Sequence, residues 1–375
     1  MTTLTRNDVI NEALARADDL GFEMEHGGFT SHAPMAAEAL ISLGHLAEAV
    51  PWIERYVCTV PHLERPAPTG RRIDPRAEAD WCAALGDLER LGDWAVLFQE
   101  EMEDAPWAEV LARWWPRLLP GFVGGLTHGL IRTAHAVRSL AADPQPTARE
   151  RRELSDALAY WSVRYTPLPG HAEPRGARSV ADALAALPAL PPREIIGAQL
   201  RGLTGVTRED ESGAWAGFDD AASALAPPAD VDAALLALTR ETADLLRNRA
   251  AVNPSPVQMI ASVHTVTAPS AARMLLPHLP VETHLPTYAR VWQTTAALAA
   301  AFTLHVDAPA RDDRERMPLS PAELDARAVE NGAAHAIKLT EASLREYRDN
   351  PDPVYLFMLE DVLPHIRATP ITPGG

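Results

Sequence analysis

Apolar residues recur at helical spacing in nearly every hydrophobic segment of this chain, and strand-like alternation closed by Asn-Gly or Asp-Gly hairpin turns is missing. That periodicity predicts an all-α fold, a large multi-helix bundle or array of helical hairpins. Helices are expected over 5–19, 33–50 and, after Pro51, a short W-I-E-R-Y segment. Further helices fit 75–90, 93–103, 106–117, 123–141 and 147–162, the last entered through a Thr147 cap. Beyond these come 229–248, 255–263, 267–277, 285–304, 320–331, 333–349 and 352–365. One domain over 1–375 is expected, with a weak subdivision near 165–215, where Pro167 to Arg178 and Thr204 to Gly217 read as loops. The Leu-Gly turns in A-L-I-S-L-G-H-L and D-L-E-R-L-G-D-W fit antiparallel helix pairs, and no third copy establishes a repeat solenoid.

Composition narrows the function. A formal charge of -17 argues against nucleic acid or anionic lipid as a partner. Two cysteines, Cys58 and Cys82, supply neither a disulfide framework nor a cysteine-based zinc site, which fits a reducing surrounding. The acidic residues in the first turns and the absence of an apolar run of 18 residues predict a cytoplasmic protein without a membrane span. Phosphate-binding, nucleophile-elbow and metalloprotease signatures are absent, so no nucleotide fingerprint appears. The glycine cluster G-F-V-G-G-L-T-H reads as a place of close backbone approach.

Chemistry is best sought among the histidines. His32 lies at a helix entrance, His128 follows a glycine pair with His135 seven positions on, His264 sits among threonines, and His335 stands three residues before Lys338 on one helical face. Neutral imidazole ligates iron, zinc and copper, so these four histidines would make a metal centre if the fold gathered them. Each also has a plainer role: a cap for His32, a buried helix contact for His128 and His135, a helix-end position for His264. Lys338 within an apolar stretch either snorkels and pairs with Glu341 or, deprotonated and carbamylated, serves as a ligand. His284 and His305 are further candidates for ligand or general base.

These same segments resemble the questin oxidase-like family, which includes fungal oxidases and oxygenases acting on anthraquinones and related polyketides. Its Asn-His motif before an Ala-Leu-x-x-Leu-Gly helix is matched by S-H-A-P-M-A-A-E-A-L-I-S-L-G, with Ser31 for the asparagine and His32 as counterpart. Its His-Pro-Leu-Ile-His-x-Gly-Tyr motif is similar to H-G-L-I-R-T-A-H, which keeps His128 and places Gly129 for the proline and Arg132 for the second histidine. H-T-V-T from His264 and H-A-I-K-L-T-E-A from His335 match two further segments, and the resemblance runs from about Glu25 to His365.

The resemblance implies an oxidoreductase of secondary metabolism, an oxygenase or Baeyer-Villiger-type oxidase that oxidises or opens a ring of a polycyclic aromatic substrate with dioxygen. Iron(II) would be held by His32, His128, His264 and His335, with Lys338 as a fifth ligand. Lys338 and His284 are the candidate catalytic groups, and Trp81, Trp115, Tyr288 and Trp292 the candidate stacking surfaces for a planar substrate. NADPH belongs to the family's descriptions. Two alternatives differ in kind: an NADPH-using or cofactor-free Baeyer-Villiger enzyme with acid-base histidines, and a helical scaffold that binds a protein.

Overall fold

The computed structural model describes residues 5–24, 30–170, 173–188, 217–304, 306–308, 313 and 315–367. His305 and the expected break after Thr204 lie outside the described residues. The fold is all-α, with one two-stranded antiparallel sheet, β1 (Leu20–Met24) against β2 (His62–Glu64), among the described residues. The described residues separate into two compact units, one comprising those up to 167 together with 277–280, the other those within 168–276 and 281–367.

The first unit contains α1 (Arg6–Ala15), α2 (Ala33–Leu43), α3 (Leu46–Thr59), α4 (Glu78–Ala84), α5 (Leu91–Asp104), α6 (Trp107–Leu118), α7 (His128–Ala142) and α8 (Ala148–Val163). Helix α8 packs on α5 and α7, while α2 packs on α3 and α7. Reciprocal capping boxes, Thr5 with Asp8 and Thr147 with Glu150, satisfy the first amides of α1 and α8. An aromatic core forms where Trp94, Phe98 and Trp114 meet, their ring centroids 5.1 to 5.6 Å apart. Both indole donors are used there, Trp94 Nε1 to the Ala84 carbonyl and Trp114 Nε1 to Glu101, as burial of a polar edge requires.

The structure divides residues 33–59 earlier than the proline would suggest. Gly44 adopts φ 98°, and the amides of Gly44 and His45 close back on the carbonyls of Ile41 and Leu40, a Schellman ending that only a residue without a β-carbon adopts cheaply. Pro51 is instead carried inside α3. Helix α7 starts at His128, five residues later than expected, because Gly125, Leu126 and Thr127 all take positive φ. The glycines of this turn do permit close approach. A β-carbon on Gly124 would lie 1.5 Å from the Arg164 carbonyl oxygen, and one on Gly129 would lie 2.7 Å from the Trp161 side chain.

The second unit contains α9 (Val180–Ala185), α10 (Phe218–Ser223), α11 (Val231–Ala251), α12 (Pro256–Leu275), α13 (His284–Phe302), α14 (Pro321–Asn331), α15 (Ala334–Asp349) and α16 (Val354–Val362). Helix α12 packs on α11, α13 and α15, and α16 on α11 and α15. Their shared core is built from Leu246, Met259, Val263, Leu339, Tyr355 and Leu359, among others. The expected break at 264–266 does not occur, and α12 runs straight through it. Thr265 and Thr267 turn their hydroxyls onto the carbonyls of Ser262 and Val263, an intrahelical bond that lets threonine sit inside a helix.

Replacing Gly124 by alanine is expected to destabilise the protein by about 3 kcal/mol, since backbone must move to admit the methyl group. Gly44→Ala, with open space around it, should cost only about 1 kcal/mol, the left-handed penalty alone. Urea titration of both variants measures the difference, and equal losses would contradict the clash.

Candidate metal centre

His32 and His128 stand at the N-terminal ends of α2 and α7, and helix packing brings them together in the first unit. Their Nε2 atoms lie 2.9 Å apart, with ring planes 74° to each other, and both side chains are buried. The outer nitrogens are engaged as well. His128 Nδ1 lies 2.7 Å from the Gly125 carbonyl oxygen, which can only accept, so this nitrogen carries the proton and Nε2 presents its lone pair. His32 Nδ1 lies 3.3 Å from the Tyr56 hydroxyl, which also accepts the His32 backbone amide at 3.1 Å. Burial pushes the Tyr56 hydroxyl up to about 12, so it remains a neutral phenol.

Two arrangements satisfy this contact. Either His32 donates an Nε2 proton to His128 while Tyr56 donates to His32 Nδ1, or both rings carry Nδ1 protons and direct two lone pairs at a metal cation. The second is the usual outer hydrogen bonding of a ligating histidine, with a carbonyl or hydroxyl fixing the tautomer from behind. An all-imidazole donor set suits iron, zinc or copper, so these two residues fit a metal.

A buried ionic lock holds the helices that carry the pair. Glu38 on α2 receives His135 Nδ1 at 2.7 Å, Arg138 Nε and Arg6 Nη2 each at 2.9 Å, and the Ser42 hydroxyl at 2.8 Å. Burial opposes its ionisation, but Arg138 and His135 outweigh that and hold the carboxyl well below the usual range. His135 is thus held by a carboxylate. Arg132, one turn past His128, forms a two-point ion pair with Glu153 at 2.7 and 2.9 Å.

The second unit brings together His264 and His335. The former lies in the middle of α12, not at a helix end, and the latter in the first turn of α15; their ring centroids are 5.6 Å apart at 71°. Glu346 locks these two helices, accepting from the Ser270 hydroxyl at 2.5 Å, Arg345 at 2.9 Å and Arg273 at 2.8 Å. Lys338, one turn beyond His335, is only 3% exposed, and desolvation pulls its amine down to about 7. The Glu341 carboxylate pairs with Arg345 at 3.2 Å.

Half-buried Trp81 meets Trp114 edge-on, with Arg117 5.0 Å above its ring. Trp115 is buried edge-on to Trp161. Tyr288 and Trp292 share one buried face of α13, and the Trp292 indole donates to the Ala222 carbonyl at 2.9 Å. His284 begins that helix with Nε2 3.1 Å from the Leu276 carbonyl.

Residues 29–186 match the questin oxidase-like family. The resemblance read from the motifs is therefore shown over that segment, which carries His32 and His128; His264, His335 and Lys338 lie beyond it. The questin oxidase-like description implies oxidoreductase activity. No curated protein matches the chain. No described helix is long and apolar enough to cross a membrane.

The buried amine has a consequence for stability. Its proton affinity is lowered in the folded state, so between about pH 7 and the ordinary lysine range the unfolded chain binds the extra proton. Stability then rises with pH, by roughly 2 kcal/mol from pH 7 to 9. In metal-free protein, Lys338→Met should raise stability at neutral pH by a few kcal/mol and remove that slope. Denaturant titrations across this pH range check both, and an unchanged slope would refute the assignment.

Proposed function

We propose that this protein is a metal-dependent oxidase that uses dioxygen to oxidise a ring of a polycyclic aromatic, polyketide-like substrate. The family match supports the oxidase class and the substrate type. The metal is our own reading, carried by the facing Nε2 atoms of His32 and His128 at 2.9 Å with their outer nitrogens already engaged. We assign His32, His128, His264 and His335 as iron(II) ligands, with Lys338 as a further one. Bound iron would supply electron transfer to dioxygen.

The chain's own residues then have defined tasks. The Gly125 carbonyl keeps the His128 proton on Nδ1 and so keeps Nε2 available, and Tyr56 does the same for His32. The Glu38 and Glu346 locks fix the helices from which the imidazoles project. Lys338 is held substantially neutral at physiological pH, which makes its amine a nucleophile toward carbon dioxide. A bond forms between Nζ and the carbon of carbon dioxide, one proton leaves to solvent, and the resulting carbamate presents an anionic oxygen where an ammonium would repel a cation.

Elemental analysis of protein expressed without a polyhistidine tag should find one iron per chain. Finding none would favour acid-base histidines with NADPH as reductant. His335→Ala should lose both iron and turnover, and a variant that retains stoichiometric metal would contradict the ligand assignment. Turnover should also fall when bicarbonate is stripped and return on its addition; indifference would remove carbamylated Lys338 from the proposal.

A further inference from the structure

A pocket in the first unit collects four arginines, Arg65, Arg132, Arg149 and Arg152, and three carboxylates, Asp18, Glu153 and Asp156. Each carboxylate is already matched to one guanidinium. Arg149 holds Asp18 at 2.8 Å, Arg132 holds Glu153, and Arg65 grips Asp156 with two bonds of 2.7 and 2.9 Å. Arg152 donates to the Asp18 backbone carbonyl at 3.3 Å and forms no ion pair among the described residues. Among the described lining residues, four cations stand against three anions, inside a chain whose formal charge is -17.

A second observation is independent of that charge count. Arg132 is 3% exposed, and its Nη1 has no hydrogen-bond partner among the described residues. A buried guanidinium N–H left unsatisfied is costly, and an anionic oxygen is its best partner. Phe22 and Pro34 give the same pocket apolar wall. Ser31, which also lines it, directly precedes His32, and Arg132 follows His128 by one helical turn, about 6 Å along α7.

We propose that this pocket binds the carboxylate of an aromatic substrate, with Arg132 Nη1 and Arg152 as its donors and the ring system directed past Ser31 toward the His32–His128 pair. The identification of the ligand as substrate rests on the oxidase reading; the anion site by itself does not. The planar guanidinium fork suits a carboxylate, which takes two parallel bonds, and neutral quinones without an acid group would be discriminated against.

Calorimetric titration of metal-stripped protein with anthraquinone-2-carboxylate and with anthraquinone-2-carboxamide, at low ionic strength, tests this without reading turnover. The acid should bind about tenfold tighter than the amide. Arg152→Gln, which leaves the Arg132–Glu153 pair intact at a half-buried position, should remove most of that preference while the amide's affinity stays as it was. Arg132→Lys should do the same, since one ammonium cannot serve both Glu153 and the ligand. Equal binding of acid and amide, or a preference that survives Arg152→Gln, would overturn the proposal. If acetate binds as tightly as the aromatic acid, the pocket takes simple anions and the substrate assignment fails. An acid preference that collapses in Arg152→Gln protein upholds the site even if iron analysis refutes the oxidase.

Discussion

Two imidazole nitrogens facing each other at 2.9 Å in a buried site impose a condition on everything around them: a proton or a metal ion must lie between their lone pairs. The Gly125 carbonyl fixes half of the answer, because it compels His128 to carry its proton on the outer nitrogen. That carbonyl is positioned by three successive residues with positive φ, Gly125 to Thr127. The turn is tolerated because glycine at 124 and 129 lets it lie against the end of α8. The geometry of one ring nitrogen thus traces back to the absence of β-carbons several residues away.

Neither histidine pair would hold its spacing if its helices could slide. In each unit the restraint is a buried glutamate one to three turns from the histidines, with arginines from more than one position converging on it. Glu38 joins α2 to α7, and Glu346 joins α12 to α15. Buried ion networks of this kind contribute little net stability when compared with apolar packing, yet removing one partner strands a charge at a cost of about 3 to 5 kcal/mol. Their value here is positional: they penalise any slip that would separate the histidines.

Much of this architecture is written in local sequence. Helical periodicity, the Thr147 cap and the close-approach role of G-F-V-G-G were all legible, because each depends on residues within a few positions of one another. Helix endings were less so. Gly44 outweighs Pro51 as a terminator, since a left-handed glycine reverses the chain while α3 carries the proline within it. The histidine positions stood out by their apolar surroundings, but their partners did not. Tyr56 is 24 residues from His32, and Glu38 is 97 from His135, separations over which a single sequence carries no signal of contact. Arg132 could be seen as a substitution within a motif; that it pairs with Glu153 and keeps a donor in reserve follows only from packing.

The same low-dielectric interior treats two kinds of charge in opposite ways, and the contrast bears on chemistry. Glu346, fully buried, is surrounded by a hydroxyl and two guanidinium groups, so its charge is answered locally. Lys338, on the same helix and equally enclosed, is dominated by desolvation, and its amine falls to about 7. Retaining a lysine there maintains a neutral, nucleophilic amine one turn from His335 at physiological pH, a state that a solvent-exposed lysine reaches only in strong base. The destabilisation is therefore the physical counterpart of a chemical capability, and the two must be lost together when the amine is replaced.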